Sequence, residues 1–197
     1  MVFSVLHNRM FIDRETIKKF LKTKKLVVNS RFDLLFLEYE NNDVIAITSK
    51  LQYQNHLATE ILTTKRNTTF TWDDSSSLCY HNVYVFEDVY QIMSYLTLIN
   101  KGLVPALEKD SVMLSLNGVG FDALKTFLNK HNMVKHIYAC LSNTDASISS
   151  LEDIPFDKDK VINMQPYLKD YSKPESRVKT WKDMLRVSCQ NEKTTPK

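Results

Sequence analysis

The 197-residue sequence predicts an α/β protein, a mainly parallel sheet flanked by helices and preceded by a small N-terminal α+β unit. Three observations predict it. From residue 83 onward, short β-rich runs alternate with helix-length apolar segments, the rhythm of right-handed crossovers in a parallel sheet. Before residue 63 the rhythm differs, with one amphipathic helix followed by short strands. Between them, residues 63–82 turn polar and aperiodic. The expected organisation is a small domain over 1–62, a linker or exposed loop over 63–82, a larger domain with a closing helix over 83–189, and a disordered tail over 190–197.

Taken in order, Asp13 is a good helix N-cap, and Ile12 before it suits a hydrophobic staple. Ile17, Phe20 and Leu21 recur at helical spacing, with Lys18, Lys19, Lys22 and Lys24 on the other side. Strand-like runs follow at Leu26–Val28, Leu34–Tyr39 and Val44–Thr48. Glu40-Asn41-Asn42-Asp43 between the last two reads as a hairpin turn. In the second half, Val83–Phe86, Val112–Leu116, His136–Leu141 and Val161–Met164 read as strands. Helices are expected near Val89–Ile99 and Phe121–His131. A final helix is expected from Ser172, where Ser172-Lys173-Pro174-Glu175 has capping-box spacing, with Val178, Trp181 and Leu185 as its apolar stripe.

Composition sets outer limits. An apolar share of 43% supports a full core, and a formal net charge of +3 permits contact with nucleic acid without requiring it. The three cysteines are widely spaced, form no CxxC pair and point to no disulfide framework. No apolar stretch reaches the roughly 18–20 residues that cross a bilayer, so a cytoplasmic protein with no membrane partner is expected. Only three glycines occur, too few and too scattered for a P-loop or a dinucleotide fingerprint. The five histidines show no zinc spacing, and no serine lies in a G-x-S-x-G context.

Ligands of open α/β sheets bind beyond the carboxyl ends of the strands. Three such ends are legible: Glu87-Asp88, Asn117-Gly118, and Ser142-Asn143-Thr144-Asp145. If the strands are neighbours, these residues share one rim. Each also has a purely structural explanation. Glu87 and Asp88 suit a helix N-terminus, Asn117-Gly118 suits a turn, and Ser142 to Asp145 are all good capping residues.

Several strings resemble the Toprim domain of primases, topoisomerases and related nucleases, and most closely the Firmicute mobile-element proteins that join a small domain of unknown function to a Toprim domain. Phe86-Glu87-Asp88-Val89-Tyr90-Gln91-Ile92-Met93-Ser94 fits the F-E-(S/A)-P-I-D-A-L-S motif without a gap. Leu114-Ser115-Leu116-Asn117-Gly118 resembles L-S-L-(G/N)-G, and Asp122-Ala123-Leu124 with Phe127-Leu128 resembles the helix that follows. Leu141-Ser142-Asn143-Thr144-Asp145-Ala146-Ser147 stands where the family has L-D-N-D-x-A-G. Lys179 to Leu185 resembles K-D-W-N-D-x-L. The resemblance covers most of residues 5–187.

The resemblance implies a catalytic acid at Glu87 and an Asp pair that holds Mg²⁺. This sequence departs at the pair, with Ser142 and Thr144 in place of the two carboxylates. Hard Mg²⁺ favours carboxylate oxygens, so its affinity is expected to fall steeply and no cofactor is expected. Glu87 and Asp145 remain as weak metal candidates if the loop slips by one residue. Lys18, Lys22, Arg177, Lys179 and Lys182 are candidate phosphate contacts, although such faces are usually just solvated. The favoured reading is a catalytically degenerate Toprim-like protein serving DNA transactions of a plasmid, phage or integrative element by binding nucleic acid or a partner protein. The alternatives are an active Mg²⁺-dependent nuclease or primase-like enzyme using Glu87 and Asp145, and a phage- or plasmid-encoded modulator of a host system.

Overall fold

The computed structural model describes residues 2–53, 56–63, 70–73, 79–117, 120–170 and 178–194. The first unit is an antiparallel meander in the order β1-β2-β3-β4, formed by Leu26–Val28, Leu34–Glu40, Asp43–Tyr53 and His56–Thr63. Asn41 and Asn42 both adopt positive φ, 52° and 69°, so the expected hairpin closes through the primed turn whose twist matches its strands. β3 is longer than its sequence suggests and is paired by β4 from Ala46 to Tyr53. The sequence reading assigned no strand there, because Leu57-Ala58 and Ile61-Leu62 break the two-residue alternation; cross-strand pairing overrides that local signal.

Helix α1 (Arg14–Lys22) precedes the meander, after a short π-type helix at Ser4–Arg9. The Asp13 carboxylate accepts the Thr16 N–H at 2.7 Å, and Ile12 and Ile17 are fully buried in one core, as a staple requires. Burial works to raise the Asp13 pKa, but hydrogen bonds from Thr16 and Asn100 outweigh it and hold the carboxyl below its usual value.

The second unit is a five-stranded sheet in the order β5-β7-β6-β8-β9, formed by Thr71–Trp72, Ser111–Ser115, Asn82–Phe86, His136–Ala139 and Val161–Asn163. All neighbours are parallel except β5, an antiparallel edge on β7. Every residue of β6 and β7 is buried, as expected of strands covered on both faces. Alternation then sorts β6: Val83 and Val85 pack with Val112, Leu114 and Leu124 of α3 (Phe121–Lys130). Tyr84 and Phe86 face the other way, toward α2 (Val89–Asn100) and α6 (Trp181–Thr194).

That second core also takes in the N-terminal unit. Leu6, Ile12, Phe20 and Phe36 belong to the same cluster as Trp72, Phe86 and α2. Part of the polar 63–82 stretch contributes to it as well. Phe70 and Trp72 are 1% and 2% exposed, Trp72 stacks on Phe20 at 4.0 Å, and Thr71–Trp72 is strand β5 rather than exposed loop. Glu38 of β2 joins the units, accepting from the Thr71 N–H at 2.7 Å, the Thr71 hydroxyl at 2.8 Å and Lys25 Nζ at 2.9 Å. Residues 64–69 and 74–78 of that stretch lie outside the described residues.

Helix α2 ends in a Schellman motif, with Leu103 N–H on the Leu98 carbonyl at 3.0 Å and Gly102 N–H on that of Ile99 at 2.9 Å. The motif needs the positive φ of 69° that Gly102 supplies. At the chain's end the expectation needs correction. The Ser172–Glu175 box lies outside the described residues, and Val178 precedes the final helix instead of lying on it. The box that operates is Thr180–Asp183: Thr180 Oγ1 accepts from the Asp183 N–H at 3.1 Å and donates to its carboxylate at 2.8 Å. Val178, Trp181 and Leu185 are nonetheless all buried. The helix runs to Thr194, past the point at which disorder was expected, because Val187 and Cys189 still pack on the core.

Candidate functional site

Because β6 is central, its carboxyl end lies between those of β7 and β8, and the three legible strand ends do share one rim. Backbone bonds carry the ladder past the strands: Asn117 N–H donates to the Glu87 carbonyl at 2.8 Å, and Cys140 N–H to that of Val85 at 2.9 Å. The two acids that follow β6 part company. Asp88 caps α2, accepting from the N–H groups of Tyr90 at 2.7 Å and Gln91 at 3.1 Å. Glu87 stays outside the helix and turns its carboxylate toward the β8 loop.

There the carboxylate meets three donors. Oε1 accepts from the Ser142 N–H at 3.1 Å and from Ser147 Oγ at 2.7 Å, and Oε2 accepts from Ser142 Oγ. Ser142 is buried, and its carbonyl accepts from Gln165 Nε2 at 2.8 Å. Thr144 is the N-cap of α4 (Asp145–Ser149): its Oγ1 accepts the Ser147 N–H at 3.2 Å and donates to Ser147 Oγ at 2.9 Å. Asn143 is tied through its N–H to the Lys179 carbonyl at 2.7 Å, which pins the loop to the approach of α6. Trp181 closes the base of this arrangement, its indole N–H on the Cys140 carbonyl at 2.7 Å. Burial pushes the Cys140 thiol well above its ordinary pKa.

Asp145 stands apart. It is the exposed first residue of α4, where a negative charge suits the helix's positive end, and no bond joins it to Glu87. Among the described residues, no three His, Cys, Asp or Glu side chains cluster so as to hold a metal ion. Asn117 is buried at the end of β7 with φ of 47°, and Gly118 lies outside the described residues.

The candidate phosphate contacts fall in two places. Lys179 and Lys182 are exposed beside the rim, and the Lys182 N–H donates to Gln91 Oε1 at 3.3 Å. Lys18 and Lys22 lie on the exposed side of α1, with Lys18 paired to Glu15 at 2.8 Å. Arg177 lies outside the described residues.

Sequence reading missed two members of the rim, Ser147 and Gln165. Ser147 had a signal, the hydroxyl spacing Ser142-x-Thr144-x-x-Ser147, which places a third hydroxyl one helical turn after Thr144. Gln165 had one too, since it directly follows the strand expected at Val161–Met164, whose carboxyl end lies on the same rim.

A central β6, a parallel sheet covered on both faces and a small antiparallel unit at the N-terminus give this chain a fold similar to that of phage primase structures. The crystal structure of the primase fragment of the bacteriophage T7 primase-helicase matches with a TM-score of 0.57 at 10% identity, covering 92% of this chain and 69% of that one. A structure of the T7 lagging-strand DNA polymerase, interacting with primase domains of two gp4 subunits bound to an RNA/DNA hybrid and dTTP, matches with a TM-score of 0.53 at 10% identity, over 92% and 83%. No family model matches the sequence, and no curated protein does. Among the described residues, no helix is long and apolar enough to cross a membrane.

Proposed function

We propose that this chain is a non-catalytic Toprim-fold protein that binds nucleic acid in the DNA transactions of a plasmid, phage or integrative element. One observation carries the reading: the Glu87 carboxylate is engaged by Ser142 and Ser147 of its own chain. A catalytic acid or a Mg²⁺ ligand needs its oxygens available to water, substrate or cation. Here the two positions that the resemblance assigns to metal-binding carboxylates carry hydroxyls. Ser142 engages Glu87, and Thr144 caps α4. One carboxylate held by three donors does not fit a hard divalent cation, so no reaction step is assigned to a metal. Removing two negative charges from the rim also lessens its repulsion of a phosphate backbone, and Lys179 and Lys182 stand beside it.

The test is fluorescence anisotropy with labelled single- and double-stranded oligonucleotides across a salt series, with and without EDTA. Salt-dependent binding that EDTA leaves unchanged is expected. No binding to any nucleic acid at low salt sinks the reading, and one host protein then captured stoichiometrically replaces it with that of a host modulator. Strand cleavage or primer synthesis that needs Mg²⁺ or Mn²⁺ and disappears in Glu87→Gln replaces it with the enzyme reading.

A further inference from the structure

The turn between β1 and β2 holds an aromatic ring in solvent. Phe32 is 61% exposed, the highest value among the exposed large hydrophobic side chains of the described residues. It sits at φ of 67°, a backbone conformation that bulky residues rarely adopt. A compact hydrogen-bond net keeps it there. Asn29 Oδ1 accepts the N–H groups of Arg31 at 3.0 Å and Asp33 at 2.9 Å, while Asn29 Nδ2 donates to the Asp33 carboxylate at 2.9 Å. The Phe32 N–H itself donates to the Asn29 carbonyl at 3.0 Å. Asp33 is buried, so the turn is anchored on one side and open on the other. Glycine or asparagine would fit this backbone with less strain, and neither would offer a ring.

The surroundings are basic. Between residues 14 and 32, seven Lys or Arg side chains stand against a single acid, Glu15, in a chain whose whole formal net charge is +3. Lys22, Lys24 and Arg31 are exposed and form no ion pair among the described residues. The chain leaves α1 after Lys22 and, beyond Thr23 to Lys25, reaches the turn after only the three residues of β1, about 10 Å of strand.

We propose that the C-terminal end of α1 and the β1–β2 turn form a docking surface for single-stranded nucleic acid, with Phe32 as the stacking platform for a base and Arg31, Lys22 and Lys24 as contacts to the flanking phosphates. The proposal rests on the nucleic-acid reading above and adds a location and a strand preference to it. A single strand is specified because its bases expose the faces that a lone projecting ring can stack on, whereas those of a duplex are stacked inward. The local charge suits a polyanion and disfavours a basic partner.

Anisotropy of labelled oligothymidylate with the full chain tests it. Phe32→Ala is expected to weaken binding about 5- to 150-fold, the range of a lost base–aromatic stack. Arg31→Ala is expected to lower the slope of log affinity against log salt by about 0.7, one phosphate contact on a single strand. Phe32→Gly separates binding from folding: it removes the ring while relieving the positive φ, so affinity should fall with no loss of thermal stability. Wild-type affinity in both Phe32 variants overturns this surface while leaving the broader reading intact. Absence of any binding by the wild-type chain overturns both.

Discussion

At the carboxyl edge of the main sheet, the Glu87 carboxylate meets three donors from its own chain; at the β1–β2 turn, Arg31 and Phe32 face solvent. Both regions are fixed by short polar side chains working on local backbone, Thr144 in one and Asn29 in the other. They differ in where the remaining groups point. At the rim the Glu87 carboxylate is turned toward its own chain, where it accepts from Ser142 and Ser147. At the turn the backbone is strained, yet the ring it displays gains almost nothing from burial. A residue's chemical type thus matters less than whether its interactions are completed inside the fold.

Substitutions at the two regions should separate them. Trp181→Ala removes the indole under the rim and leaves the buried Cys140 carbonyl without its donor, so denaturant unfolding should show a loss of about 3–5 kcal/mol. Ser142→Asp places a second carboxylate against Glu87 and should cost on the order of 3 kcal/mol near neutral pH. Two carboxylates in contact repel most when both are ionised, so this loss should shrink as pH falls and one of them takes up a proton. A loss unchanged by pH would mean that Glu87 has turned away. Glu87→Ala strands the Ser142 N–H and should cost about 1–3 kcal/mol, with Glu87→Gln costing less because the amide oxygen still accepts. At the turn the sign reverses: Phe32→Gly should gain up to about 1 kcal/mol, visible as a small rise in Tm. The smallest effect is chemical. A thiol reagent should label exposed Cys79 in the native protein and leave Cys140 untouched until unfolding.

Much of the fold was legible because its signals are local. Asp13, the β-rich run Val83 to Phe86 and the Asn41-Asn42 turn each act within a few residues, where local propensity and spacing set the element. The rim was legible to the extent that strand ends mark it, and Glu87, Asn117 and Ser142 do lie together there. What failed was non-local. β4 exists because β3 pairs with it, and Phe70 and Trp72 are buried because the N-terminal unit shares one core with α2.

The sequence by itself determined an α/β chain with a small α+β unit before a mainly parallel sheet, the acids Glu87 and Asp88 at one strand end, and hydroxyls at the two positions where the resemblance places a metal-binding pair. Only the tertiary structure decided that Ser147 reaches Glu87 and Gln165 braces Ser142, that Asp145 stays outside, and that Phe32 stands in solvent. The physical reason is reach. Propensity and spacing act over one or two turns of chain, whereas the bonding of a carboxylate or the exposure of a ring depends on which distant segments fold against it.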